Sequence, residues 1–136
     1  MERRDLLKGM AAGVAAGLVA PSVSQAASQR GAGAFYYTKE NPGRWAKKAG
    51  GHLPRVSVSR NKVEVLTRHP MKSYNHYIIK HTLFDKDFKV IGEEYFKPGK
   101  GKGKPTSTFD LKGYKGTLHV VSLCNKHDAW VVTTRV

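Results

Sequence analysis

The chain has 136 residues, with 24 lysines and arginines against 10 acidic residues and a formal net charge of +14. That length holds one domain and excludes a multidomain enzyme, and the charge demands an anionic partner or substrate of some kind. A single cysteine excludes both an internal disulfide and a four-thiolate iron–sulfur or rubredoxin-type centre.

The first residues, Met1-Glu2-Arg3-Arg4-Asp5-Leu6-Leu7-Lys8, form a twin-arginine pattern, followed by an apolar run from Met10 to Ala20 and small residues at Ser24-Gln25-Ala26. The run is rich in Gly and Ala and falls short of the roughly 18 residues needed to cross a bilayer. Residues 1–26 are therefore expected to be a cleaved export signal, sending a folded protein to the periplasm with no stable membrane insertion afterwards. The signal carries Arg3, Arg4 and Lys8 against Glu2 and Asp5, so the remainder keeps all but one unit of the +14 charge. Nucleic acid is not an expected partner, because there is no helical basic stripe and no aromatic RNA-binding motif.

Residues 27–44 are small, polar and aperiodic, and read as a flexible lead-in with Phe35-Tyr36-Tyr37 available to tuck against a domain. Asn41-Pro42-Gly43-Arg44-Trp45 reads as a turn, and Trp45 to Gly51 as a short helical turn broken by two glycines. From residue 52 the apolar period becomes two. Strands are expected over 55–60, 62–66, 76–84, 89–96, 105–111, 116–124 and 129–136, with Val56, Val63, Ile78, Val90 and Leu118 facing a core. Seven short strands without a long helix predict an all-β, immunoglobulin-like antiparallel β-sandwich over 45–136. Between two of them, Lys97-Pro98-Gly99-Lys100-Gly101-Lys102-Gly103-Lys104-Pro105 is a basic loop, either solvated or a docking patch for an acidic partner.

The cysteine lies in Cys124-Asn125-Lys126-His127, a thiol and an imidazole three residues apart after an apolar strand. Thiolate and neutral imidazole are transition-metal ligands, so this is half a metal site. Three more imidazoles sit at strand ends or loops: His52, His69 and His76. In a sandwich the loops cluster at two ends, so these residues can converge although they are far apart in sequence. His81 and His119 stand at odd offsets from His76 and Cys124, and strand parity turns them to the other face, as non-ligands.

Over residues 45–132 the sequence resembles the superoxide reductases, also called neelaredoxins, and the iron-binding domain of desulfoferrodoxin. The resemblance rests on His-x-Pro at 52–54, His-Pro-Met at 69–71, His-Tyr-Ile at 76–78, Phe-Lys-Pro-Gly at 96–99 and, most specifically, Cys-Asn-x-His-x-x-Trp at 124–130. It implies a mononuclear non-haem iron held by His52, His69, His76 and His127 with Cys124 as the axial thiolate and one position open. Cys124 and His127 would also carry the catalytic role. The implied reaction is one-electron reduction of superoxide to hydrogen peroxide, with a rubredoxin-like protein or another external reductant returning the electron. Homo-oligomer formation stays open.

Two departures stand out. The family places Glu-Lys before the first ligand histidine, where this chain has Gly50-Gly51; Lys47 or Lys48 could replace the lysine's field. His69 and His76 are also seven residues apart, one more than the family's spacing, which a longer loop or a β-bulge would absorb. A second reading uses the same five ligands without catalysis, as a periplasmic metal-binding or electron-transfer protein.

Overall fold

Alternating apolar residues put one face of each strand into a shared core. The computed structural model describes residues 30–136, so the export signal expected over 1–26 lies outside the described residues. All seven expected strands form: β2 (Pro54–Ser59), β3 (Lys62–Thr67), β4 (Ile78–Phe84), β5 (Val90–Tyr95), β6 (Thr106–Asp110), β7 (Thr117–Cys124) and β8 (Asp128–Arg135). An eighth, β1 (Tyr36–Tyr37), precedes them. It pairs in parallel with β8, Tyr36 opposite Ala129 and Tyr37 opposite Trp130. A 3-10 helix (Gly43–Lys48) runs into the single-turn helix α1 (Ala49–His52), which ends on His52.

The strands make a five-stranded sheet ordered β1-β8-β7-β4-β5 and a three-stranded sheet ordered β2-β3-β6. This is the β-sandwich that the alternation predicts. β7 shows its logic most plainly: Leu118, Val120, Ser122 and Cys124 are buried in strict alternation. Between the sheets, Leu118 and Val120 join Val63, Val65, Leu83, Phe109 and Leu111 in an apolar cluster. Val56 packs against it, but Val90 does not, being 57% exposed. β5 is an edge strand whose inward residue is Ile91, and Gly92 leaves the space that Phe109 occupies; a Cβ at Gly92 would stand 2.5 Å from the Phe109 ring.

One step along the sandwich the inward positions turn polar. His81 is fully buried, with Nδ1 2.7 Å from Ser107 Oγ and Nε2 2.8 Å from Thr67 Oγ1, and Thr67 Oγ1 is 2.8 Å from Ser122 Oγ. Rotating hydroxyls satisfy both ring nitrogens of a neutral imidazole, so the layer carries no orphaned group. A third layer, Met71, Ile78 and Cys124, closes this end of the sandwich.

Burial pushes the His81 pKa down to about 4, whereas an unfolded histidine titrates near 6.5. Between those values the unfolded chain binds a proton that the folded one excludes. Stability therefore falls as pH drops through about 6.5 to 4, by about 3 kcal/mol at full extent. His81→Asn should lose this slope. Urea unfolding from pH 4.5 to 7.5 should show wild type steeper than the variant by up to one proton; equal slopes would mean that His81 is protonated inside the fold.

Candidate metal centre

The third layer is where the separate histidines arrive. His52 ends α1, His69 follows β3 by two residues, His76 precedes β4 by two, Cys124 ends β7, and His127 lies in the β7–β8 turn. One ligand atom from each of His52, His69, His76 and Cys124 lies within 4.8 Å of the others. His127 joins from the side, its Nδ1 3.0 Å from His76 Nε2 and 3.8 Å from Cys124 Sγ.

The four imidazoles close a ring. Adjacent centroids are 4.7 Å (His52–His69), 4.4 Å (His69–His76), 4.7 Å (His76–His127) and 4.9 Å (His127–His52), and the His52–His76 diagonal is 5.8 Å. Neighbouring rings stand at 66–83° to each other, and the diagonal pair is near parallel at 25°.

Tautomers decide what this ring can hold. His52 Nδ1–H donates to the Lys48 carbonyl at 2.8 Å and His69 Nδ1–H to the Pro70 carbonyl at 2.7 Å. Both Nε2 lone pairs therefore face inward, the arrangement of metal-bound histidine. His52 Nε2 is buried without a hydrogen-bond partner, a cost that a cation removes. Burial first, and neighbouring rings after it, push His52 and His76 down to about 4. Burial likewise lowers His69 and His127. Neutral imidazoles are what a metal ion needs. Burial raises the Cys124 thiol, opposed by backbone hydrogen bonding from Lys126 and His127. This donor set fits a transition ion, with amides ready to receive thiolate charge.

Access is one-sided. Cys124 is 2% exposed behind Met71 and Ile78. An open cavity of about 480 Å³ lies over His52, His69 and His76, rimmed by Lys47, Lys48 and Lys72 with Gly51 between, and no carboxylate lines it.

Three clamps hold these side chains. Asn125 donates through Nδ2 to the carbonyls of Tyr74 (3.1 Å) and Asn75 (3.0 Å) and accepts from Tyr77 N–H at 2.9 Å. The loop bearing His76 is thus tied to the residue after Cys124, and an isolated Ser73–His76 bridge closes it. The additional residue of the seven-residue spacing sits in this loop, and β4 starts at Ile78 rather than at His76. Asp128, at φ 64°, accepts from Trp45 Nε1 and Arg44 Nη2, both at 2.9 Å, and these donors hold its carboxyl below the usual range. Trp45 then meets the His127 ring edge-on at 4.6 Å. Trp130 donates its indole N–H to the His127 carbonyl at 2.9 Å.

Asn125 and Trp130 stand within the Cys-Asn-x-His-x-x-Trp pattern; nothing in the spacing announces Trp45 or Asp128. His81 and His119 are outside the ligand group, but the parity reasoning for His81 fails. A register shift between Ile78 and Lys80 breaks the count from His76. His81 pairs with Ser122 and points inward, toward the same side as Cys124. His119 does face outward, stacked on Phe88 at 4.7 Å.

The fold and this site define a β-sandwich with a histidine and cysteine group of metal-ligating geometry. No protein-family model matches the sequence, and no curated protein matches it. Solved structures do. The superoxide reductase (1Fe-SOR) of Giardia intestinalis is 28% identical at a TM-score of 0.53, over 63% of this chain and 98% of its own. The superoxide reductase of Treponema pallidum is 26% identical at a TM-score of 0.51, over 62% and 67%. The superoxide reductase (neelaredoxin) of Ignicoccus hospitalis is 24% identical at a TM-score of 0.57, over 75% and 94%, and carries the fold alone.

Proposed function

We propose that the chain is a superoxide reductase with a mononuclear non-haem iron held by His52, His69, His76, His127 and Cys124, working in the periplasm after twin-arginine export. The reading rests on the convergence of three imidazoles and the only thiol within 4.8 Å, with His127 completing a ring of four imidazoles. Iron bound there would supply, as Fe2+, the single electron that turns superoxide and two protons into hydrogen peroxide. The protein's residues do the rest. Neutral imidazoles and one buried thiolate form the donor set. The lysine rim draws the anion to the open side, and the cavity admits water as the proton source. The electron must return from outside, since one cysteine cannot build a second four-thiolate centre.

Aerobically purified protein should hold one iron per chain, show a thiolate-to-ferric absorption band that reductant bleaches, and consume pulse-generated superoxide. Zinc or copper in the same ligands, with no superoxide consumption, would establish the non-catalytic metal-binding reading instead. Gly50-Gly51, with no carboxylate lining the cavity over the histidines, is the observation that favours that second reading.

Gly51 offers a further test. A Cβ there meets only the Arg68 carbonyl at 3.6 Å, an ordinary contact, so a side chain is accommodated. Gly51→Lys should raise the second-order rate with superoxide by up to about tenfold. Lys48→Ala should lower it, and both effects should shrink with added salt as the Debye length drops below about 8 Å. A rate flat in salt and unmoved by either change would mean that electrostatic attraction does not limit the reaction.

A further inference from the structure

The basic loop lines a second cavity, which shares no residue with the one rimmed by Lys47, Lys48 and Lys72. Its residues 97–104 hold four lysines and no acidic residue. Lys97, Lys100, Lys102 and Lys104 are exposed, while Pro98 and Pro105 are buried and anchor the two ends. Gly99 N–H donates to the Met71 carbonyl at 2.9 Å. Beneath the loop this cavity of about 430 Å³ is lined by Met71 and Phe96, by Lys97, Lys102 and Lys104 with one carboxylate, Glu94, and by Tyr95 at 65% exposure. Met71 and Phe96 both pack in the cluster that contains Cys124. Met71 Sδ also accepts Ile78 N–H at 3.3 Å, and Ile78 pairs with Cys124 across β4 and β7. One layer of side chains therefore separates this cavity from the thiol.

We propose that this lysine-rimmed cavity is the docking surface for an acidic protein that carries one electron. The inference rests on the reductase reading: the donor loses one electron at the Met71–Phe96 floor, and the centre gains it on the Cys124 side. The mouth over His52, His69 and His76 is lined by other residues than the loop cavity, so donor and superoxide are bound by different side chains. Four lysines within eight residues outweigh the one carboxylate of the cavity wall, Glu94, and give a local field that steers an acidic partner. An exposed tyrosine beside a buried methionine supplies the apolar contact that such an interface needs at its centre.

The probe is cytochrome b5, an acidic one-electron haem protein, used against the full protein as isolated. Oxidised cytochrome b5 should shift backbone amide resonances of residues 95–104 and leave 47–52 and 72–76 unmoved. Reduced cytochrome b5 should reduce the centre about tenfold or more slowly in a variant carrying Lys97→Glu, Lys100→Glu, Lys102→Glu and Lys104→Glu. A control with the same change of charge at Lys39, Lys86, Lys89 and Lys115 should keep the wild-type rate, and dithionite should reduce all three proteins alike. Equal slowing of loop and control variants would reduce the effect to diffuse charge and overturn the proposal. So would shifts confined to the mouth, or vesicles with one-third phosphatidylglycerol binding the loop while cytochrome b5 moves no resonance. A centre that no reductant changes would defeat the reductase reading, and the shift map would still decide whether an acidic protein docks here.

Discussion

Cys124→Ala should bleach the oxidised protein and end its reaction with superoxide while leaving the sandwich folded. The thiol is 2% exposed and packs only in the small layer with Met71 and Ile78. The main apolar core lies beyond the His81 layer and does not include it. Losing one sulfur atom from such a site costs about 1 kcal/mol, a small part of a domain's stability. The chemical loss is of another order. Cys124 is the one donor that brings negative charge to the group, the other candidates being neutral rings, and the backbone of Lys126 and His127 favours the charged sulfur. Far-ultraviolet circular dichroism and a thermal melt check the fold; the visible spectrum and the decay of pulse-generated superoxide check the site. A variant that keeps both the band and the reaction would remove Cys124 from the centre.

The sequence carries much of this arrangement because it alternates where the protein needs alternation. Leu118, Val120, Ser122 and Cys124 alternate in the chain and in the structure alike, and seven strands can be read that way. What was not legible depends on partners distant in sequence. Strand β1 has two residues, too few for any period, and is held by its pairing to β8 and by Tyr37 lying 5.5 Å from Trp130. Val90 fits an alternating pattern but lies on an edge strand, where no second sheet covers it. The ligands were visible as chemistry, a thiol and imidazoles at strand ends. Their approach was not, because it depends on Asn125 tying down the loop of His76 and on α1 delivering His52 with its Nδ1 engaged. Parity counting turns His81 outward because it assumes an unbroken strand from His76. The strand starts later and carries a register shift. Thr67, Ser107 and Ser122 looked like ordinary half-buried strand residues, and only their meeting around one imidazole makes them a layer.

Trp130→Ala should be the most damaging single change to stability, and it should take the metal with it. The indole is fully buried, the largest side chain to be so. It lies 5.5 Å from Tyr37, on the strand that caps the sheet edge, and 5.7 Å from His52, on the ring of imidazoles. Removing a buried tryptophan costs about 3–5 kcal/mol through lost transfer and an unfilled cavity. That is about a fifth or more of what a domain of this size holds, and each kcal/mol moves the melting temperature by about 4–8 °C. The cavity would open between β1 and α1, so the His52 ring loses the wall that sets its position. Trp130→Phe separates packing from hydrogen bonding. It fills most of the volume but cannot donate to the His127 carbonyl, which is 2.9 Å from the indole nitrogen. Phenylalanine should therefore lose about 1–3 kcal/mol, the cost of an unpaired buried carbonyl, and keep its iron. Calorimetry and iron analysis on both variants decide the matter. An alanine variant that melts within a few degrees of wild type at full iron content would show that the imidazole ring holds its geometry without the indole wall.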